Sequence, residues 1–252
     1  MCLAGLILAD LLFPPPLHKA QEISRVVLDR SGAPLRAFPL SDGRWRLQAE
    51  VEKIDPAFVE ALLAYEDKRF YQHSGVDFAA MMRATLSLVK AGRVVSGGST
   101  ITMQTARLLE PQPRTVGAKF QQMLRAWQLE RRLSKDEILG LYLTLAPYGG
   151  NIEGVRATSW AYFGREPRAL TPDQIALLIA LPQSPEARRP DLKPQNAVRA
   201  RKRVLQRLVS QRVLAEDRAW EAESAPAPRP SPALLLLRFS GAKGHLAESF
   251  GV

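Results

Sequence analysis

The sequence predicts a mainly α chain with a small β-hairpin element at its N-terminal side. Three observations carry this. From Asp55 onward apolar residues recur at helical spacing, as in Phe58, Ala61, Leu62 and Tyr65. Helix-start signals recur over the same region: Asp55-Pro56, Ser134 followed by Glu137, and Thr171 followed by Gln174. Only near the N-terminus do two β-type runs, residues 25–29 and 34–38, flank a tight turn at Arg30-Ser31-Gly32.

Composition bounds the rest. A chain of 252 residues is long enough for a real core, and 46% hydrophobic with 24% charged residues excludes wholesale disorder. No apolar run reaches the ~20 residues of a clean membrane span. The single cysteine, Cys2, excludes an intramolecular disulfide framework and a cysteine-cluster metal site. The formal net charge is +10, and between Glu186 and Val213 nine Lys/Arg face two acidic residues. Such a surface attracts phosphates of nucleic acid, lipid head groups or a pyrophosphate; the plainer alternative is a solvated helix face. No RNA- or DNA-binding motif is present, so no nucleic-acid partner is expected.

The elements follow in order. Residues 3–13 are apolar but interrupted by Asp10, and Pro14-Pro15-Pro16 ends any helix there. They read as the tail end of a membrane anchor, with a short buried helix as the alternative. The hairpin follows, and residues 44–51 could extend it. Pro56 opens a helix that delivers Glu66 and Asp67 at its C-terminal end, where the helix dipole favours a protonated carboxyl. A raised pKa is what a general base or acid near neutral pH needs. A second helix is expected over 78–91, ended by Gly92, then a Gly/Ser loop over 94–100. A short helix through Gln104 and Arg107 stops at Pro111 and Pro113. A long basic helix over 115–132, the Ser134 capping-box helix, a turn at 148–151, the Thr171 helix to Leu181 and a basic helix over 194–209 complete the series. From Ser224 the Ala/Pro-rich chain reads as linker. The expected division is 1–16 residual anchor, 17–52 small β element, 53–213 helical domain and 214–252 linker and truncated tail.

Two clusters carry chemistry. Glu66-Asp67-Lys-Arg-Phe70-Tyr-Gln-His73-Ser-Gly75 gathers two acids, two bases, aromatics and a histidine within ten positions. No second histidine lies at ligand spacing, so no protein-held metal site is expected. In Ser96-Gly97-Gly98-Ser99-Thr100-Ile101-Thr102, glycines let the backbone approach a ligand, and hydroxyls with N–H groups can hold phosphate oxygens. It is not a P-loop, since no Gly-Lys-Ser/Thr follows. Gln104 and Arg107 lie one helical turn apart on one side. Ser87-Leu-Val-Lys90 matches a Ser-x-x-Lys nucleophile by letters alone, with no Lys-Thr-Gly after it.

Together and in this order these clusters resemble the peptidoglycan glycosyltransferases, glycosyltransferase family 51. Glu66-Asp67-x-x-Phe70-x-x-His73-x-Gly75 is similar to the family's first motif and Gly97-Gly98-Ser99-Thr100-Ile101-Thr102-Met103-Gln104-x-x-Arg107 to its second. Residues 115–122 occupy the third. The segments from Ser134 through Tyr142 to Gly154 and from Ala176 to Pro185 are similar to the fourth and fifth. The wording of Met103-Gln104, Ala146-Pro147-Tyr148 and Leu181-Pro182-Gln183-Ser184-Pro185 resembles the 1C branch of the class A penicillin-binding proteins.

The resemblance implies a lysozyme-like, mostly helical fold with a membrane-apposed jaw. It implies polymerisation of lipid II on the outer face of the cytoplasmic membrane, with inversion and with undecaprenyl pyrophosphate as leaving group. Glu66 would be the general base. Asp67, Phe70, His73, Gly98, Ser99, Thr100, Gln104, Arg107, Lys119 and Gln122 would bind substrate. Lipid II, the growing glycan strand, the membrane surface and cell-wall synthesis proteins are the implied partners. The family often uses a divalent cation, Mg²⁺ or Mn²⁺. Its third motif reads Arg-Lys-x-x-Glu, whereas this chain reads Ala118-Lys119-Phe120-Gln121-Gln122. The amide of Gln122 offers no negative charge to such a cation. A lysozyme-like lytic glycosidase and an inactive lipid II-binding remnant are the rival readings.

Overall fold

The computed structural model describes residues 10, 12–28, 30, 34–83, 98–113, 115–229 and 231. It is mainly helical. The helices are α1 (His18–Gln21), α2 (Pro56–Glu66), α3 (Ile101–Leu109), α4 (Val116–Arg132), α5 (Lys135–Leu145), α6 (Val155–Phe163), α7 (Pro172–Ala180), α8 (Pro194–Ser210) and α9 (Glu216–Ser224). Residues 78–83 are helical too, so the described start of the expected 78–91 helix is present; its remainder lies outside the described residues. So do the Ser96-Gly97 half of the Gly/Ser loop, Ser87-Leu-Val-Lys90, most of the expected anchor and the tail beyond 231. Among the described residues no helix is long and apolar enough to cross a membrane.

Local chemistry explains the helix starts. Asp55 accepts from the Ala57 amide at 2.9 Å, with Pro56 at the first helical position. Ser134 and Glu137 form the expected reciprocal cap, Glu137 accepting from the Ser134 amide at 2.7 Å. Thr115 caps α4 through the Ala118 amide at 3.1 Å.

Among the described residues five short strands accompany the helices: β1 (Arg25–Leu28), β2 (Pro34–Phe38), β3 (Trp45–Arg46), β4 (Pro147–Gly149) and β5 (Ile152–Glu153). β1 and β2 form the expected antiparallel hairpin, Arg25 opposite Phe38. Residues 44–51 do not extend it. β3 instead pairs in parallel with β5, Trp45 opposite Ile152, and β4 closes the three-stranded sheet from the other side of β5. Burial decides this: the Trp45 side chain is fully buried in the core, while Arg46 donates through Nε to Glu153 at 2.8 Å. Residues 45–46 therefore belong to the helical body rather than to a separate front element.

The core centres on α5 and α7. Every residue of α7 from Ile175 to Ala180 is buried, as expected of a helix apolar all round. α2, α8 and α9 pack on α7, while α3 lies between α4 and α5. A smaller cluster of Val76, Met103 and Ala126 sits beneath α4. The stretch expected as linker from 214 begins instead with α9, whose Ala219 and Ala222 are buried. Buried Arg201 donates to the carbonyls of Glu223 and Pro226, and Ser231 donates its amide to the Ala161 carbonyl. Arg201, counted above in the basic stretch, is thus a capping group inside the fold.

Gly75 separates two requirements. Its φ is +89°, and a Cβ there would lie 2.9 Å from the Ala126 backbone of α4; Gly43 has φ +79° with nothing within 4 Å. Gly43→Ala should therefore cost about 1–2 kcal/mol of backbone strain, and Gly75→Ala a further ~1–3 kcal/mol for the displaced helix. Urea denaturation of both variants measures the difference; equal losses would dismiss the contact with α4.

Candidate active site

The site begins where α2 ends. Glu66 is its last residue and Asp67 its C-cap. Asp67 is buried and its carboxylate points into the structure. Oδ2 accepts from the Ile101 amide at 2.8 Å, and His73 Nε2 donates at 3.0 Å to both oxygens. The C-terminus of α2 is thereby tied to the N-terminus of α3. Thr100 completes the joint: its hydroxyl accepts from the Met103 amide at 3.1 Å and donates to the Gly75 carbonyl at 2.5 Å.

This joint aims Glu66 at α3. One turn into that helix, Gln104 donates through Nε2 to Glu66 Oε2 at 3.2 Å. From the turn after α7, Gln183 donates through Nε2 to Oε1 at 3.1 Å. Arg207 of α8 stacks over Tyr65, 4.5 Å from the ring centre, and its charge acts on Glu66. Burial raises the pKa of Glu66 above the ordinary carboxylate value. The two amide donors and Arg207 oppose that rise, and the neighbouring Asp67 charge adds to it. The helix end expected to supply the rise is present, but burial is its main cause.

Two cavities meet at Glu66. The first, about 530 Å³, is lined by Glu66, Ser99, Gln104, Arg107, Gln122, Gln183 and Arg207. Lys119 reaches it through a hydrogen bond donated to the Ser99 hydroxyl. Burial, followed by the charge of Arg107, lowers the Lys119 pKa. The second cavity, about 480 Å³, shares Tyr65, Glu66, Ser99 and Arg207, and adds Asp67, Lys68, Arg69, Arg83, Gly98 and Thr100. Arg69 is paired with Asp77, Nε to Oδ2 at 2.9 Å.

Most of the expected residues therefore come together. Glu66, Ser99, Gln104, Arg107 and Gln122 share one cavity, and Asp67, Gly98 and Thr100 line the other. Phe70 and His73 line neither. Phe70 is 1% exposed, edge-on to the Tyr71 and His73 rings, with Lys135 Nζ 4.6 Å from its ring centre. His73 holds the Asp67 carboxylate from behind, and Phe70 packs edge-on against the His73 ring. Gln183, Arg207 and Tyr65 are on the walls although none of them is among the expected site residues. Gln183 meets Glu66 across 117 positions, which no local pattern reports. Arg207 was one basic residue among nine, and only the packing of α8 selects it.

The donor set does not fit a divalent cation. Among the described residues no three His, Cys, Asp or Glu side chains converge on a metal position. Glu66 stands without a second uncommitted carboxylate, because Asp67 is committed to His73 and Ile101 and Gln122 is neutral.

Residues 31–209 match the transglycosylase family, and the chain belongs to it. It is 46% identical over 229 residues to penicillin-binding protein 1C of Escherichia coli strain K12, covering 90% of this chain and 30% of that protein. It is 32% identical over 233 residues to penicillin-binding protein 1A of Aquifex aeolicus strain VF5, covering 88% of this chain and 32% of that protein. A crystal structure of penicillin-binding protein 1A from Haemophilus influenzae aligns over 83% of this chain and 22% of that chain, with TM-score 0.48 and 17% identity. The chain spans about a third of the length of these two curated relatives.

The raised pKa of Glu66 has a sign that stability reveals. The folded state prefers the protonated carboxyl, so its contribution is full below the unfolded carboxyl pKa and is lost as pH rises through the folded value. Glu66→Gln lacks this titration. The melting temperature of the native chain relative to Glu66→Gln should therefore fall between pH 4 and pH 8, by about 2–4 °C. A flat difference in calorimetry across that range would show that burial does not disfavour the charge.

Proposed function

We propose that this chain is a peptidoglycan glycosyltransferase that polymerises lipid II, with Glu66 as general base. One observation carries the reading: Glu66 stands on the wall shared by two cavities with cationic side chains. Glycan transfer between two pyrophosphate-linked sugars needs two phosphate-binding places and one base between them. The growing strand would lie with its pyrophosphate near Arg107, Gln104, Ser99 and Lys119. The incoming lipid II would lie near Lys68, Arg83 and Arg207.

The chemistry then balances. The 4-hydroxyl oxygen of the acceptor attacks the anomeric carbon of the donor, and its proton passes to Glu66. The bond from that carbon to the pyrophosphate oxygen breaks, and the electron pair leaves with undecaprenyl pyrophosphate. Attack opposite the leaving group inverts the centre. A sugar hydroxyl is a poor nucleophile until its proton is removed in the transition state. The growing charge on pyrophosphate is met by Arg107, Lys119 and the hydroxyl of Ser99. A lowered Lys119 pKa matches a cation held apart from an anion it is built to meet.

The cavity argues against a lytic glycosidase. Hydrolysis of an uncharged glycan could also use a single Glu, but it needs no clamp for a pyrophosphate. Among the described residues Glu66 lines the first cavity beside two arginines, Arg107 and Arg207. A pyrophosphate leaves without being protonated, so one base and a cationic wall suffice. The exposed pairs Phe78 with Met82 and Val116 with Phe120, each four residues apart, support apposition to a membrane surface on the outer face of the cytoplasmic membrane.

Incubation of the detergent-solubilised protein with labelled lipid II, followed by gel analysis, tests this. A ladder of glycan chains is expected from the native chain and none from Glu66→Gln. Soluble muropeptides released from sacculi would establish the lytic reading, and binding of lipid II without any ladder would establish the remnant. Arg107 is exposed, and exposed cations contribute little to folding. Arg107→Ala should therefore weaken lipid II binding about tenfold and leave the melting temperature within ~2 °C. Unchanged affinity with lost stability would remove Arg107 from the pyrophosphate site.

A further inference from the structure

We propose that Gln183, its amide turned by Arg188, is a positioning residue that holds Oε1 of Glu66 and keeps the carboxylate aimed into the cleft. The inference rests on the reading of Glu66 as base and adds a relay to it. Four contacts define that relay. Arg188 Nη1 donates to the Ala180 carbonyl at 2.6 Å and to Gln183 Oε1 at 3.0 Å. Gln183 Nε2 donates to Glu66 Oε1 at 3.1 Å. Gln104 Nε2 donates to the other oxygen at 3.2 Å.

An amide side chain has two faces, and its orientation follows from its partners. Arginine only donates, so the Gln183 atom beside Arg188 is the oxygen. That leaves the NH₂ group, and no other part of the amide, for Glu66. Ala180 is the buried last residue of α7, so the relay starts from a fixed point in the core. Gln183 sits in the Leu181–Gln183 3-10 turn that follows directly, which keeps the relay short. The carboxylate thus carries one N–H donor on each oxygen, from opposite walls. Its remaining lone pairs are free for the hydroxyl it must deprotonate.

The two contacts favour the anion and oppose the effect of burial on Glu66. The other charged or titratable groups around it are Asp67 and Tyr65 of α2, Arg107 of α3, Tyr142 of α5, Arg207 of α8 and Arg188 itself. Of these Arg188 acts in two ways, through the Gln183 amide and directly by its own charge. Gln183 lies at the exposed rim, where water competes, so the expected effect is modest.

Carbon-13 NMR titration of the Glu66 carboxyl in the whole protein, assigned against E66Q, reads the relay without any turnover. Q183L should lower the acid dissociation constant of Glu66 about threefold, moving its titration up by about half a pH unit. Q183E should move it further up, because a like charge disfavours the anion. R188M should move it in the same direction as Q183L. The acid limb of kcat/KM should follow each shift, while the melting temperature of Q183L stays unchanged. An unmoved titration in Q183L overturns the relay, as does a shift in R188M alone, which would make Arg188 a simple charge. Polymerisation by E66Q would overturn the role of Glu66 as base, a separate outcome.

Discussion

The contact on which the cleft depends is the pair of bonds made by the Asp67 carboxylate. It accepts from the first amide of α3 and from His73, and so joins the end of one helix to the start of another. A carboxylate at a helix N-terminus meets unsatisfied N–H groups and the positive end of the dipole, so the joint is favourable on both sides. Everything on the cleft wall takes its place from it: Glu66 is the preceding residue, Gln104 lies three residues after the amide it binds, and the Thr100 cap holds Gly75 and with it α4. An apolar side chain at 67 would leave a buried N–H group and a buried imidazole without their acceptor.

Two adjacent carboxylates thus have different environments and different uses. Asp67 is buried but committed to donors within the fold. Glu66 borders the cavities, is raised by burial and is restrained by two amides that its substrate need not displace. This is a general way of giving acidic groups that stand side by side different uses: one is tied up by donors within the fold, and the other faces the cleft. The aromatic and histidine neighbours serve the first carboxylate, which is why they lie behind the cleft rather than in it.

Much of the molecule was legible in the sequence because the signals are local. The Asp55, Thr115, Ser134 and Thr171 starts depend on side chains two or three residues from the amides they serve, and each helix begins where those residues stand. Gln104 and Arg107 face one cavity because three residues make nearly a helical turn. The rest was not legible because its cause is non-local. Nothing near Trp45 announces a parallel partner at Ile152. Arg201 and Arg207 carry the same letter six positions apart in one basic helix, yet one caps buried carbonyls and the other borders Glu66. Only the packing of α8 separates them. Phe70 and His73 sit in the right motif but serve it from behind, a distinction that spacing does not encode.

The pairing of β3 with β5 has a consequence for how the chain reaches this shape. Trp45 waits for Ile152, more than a hundred residues later, before its strand finds the parallel partner of the folded body. During synthesis the chain emerges at about 5–20 residues per second. For several seconds, therefore, this strand near the front has no partner. Closure of so distant a contact must come late, after the local helices have formed, and it carries the entropy of a long loop. The short sheet is thus a latch that completes the body rather than a seed from which it grows.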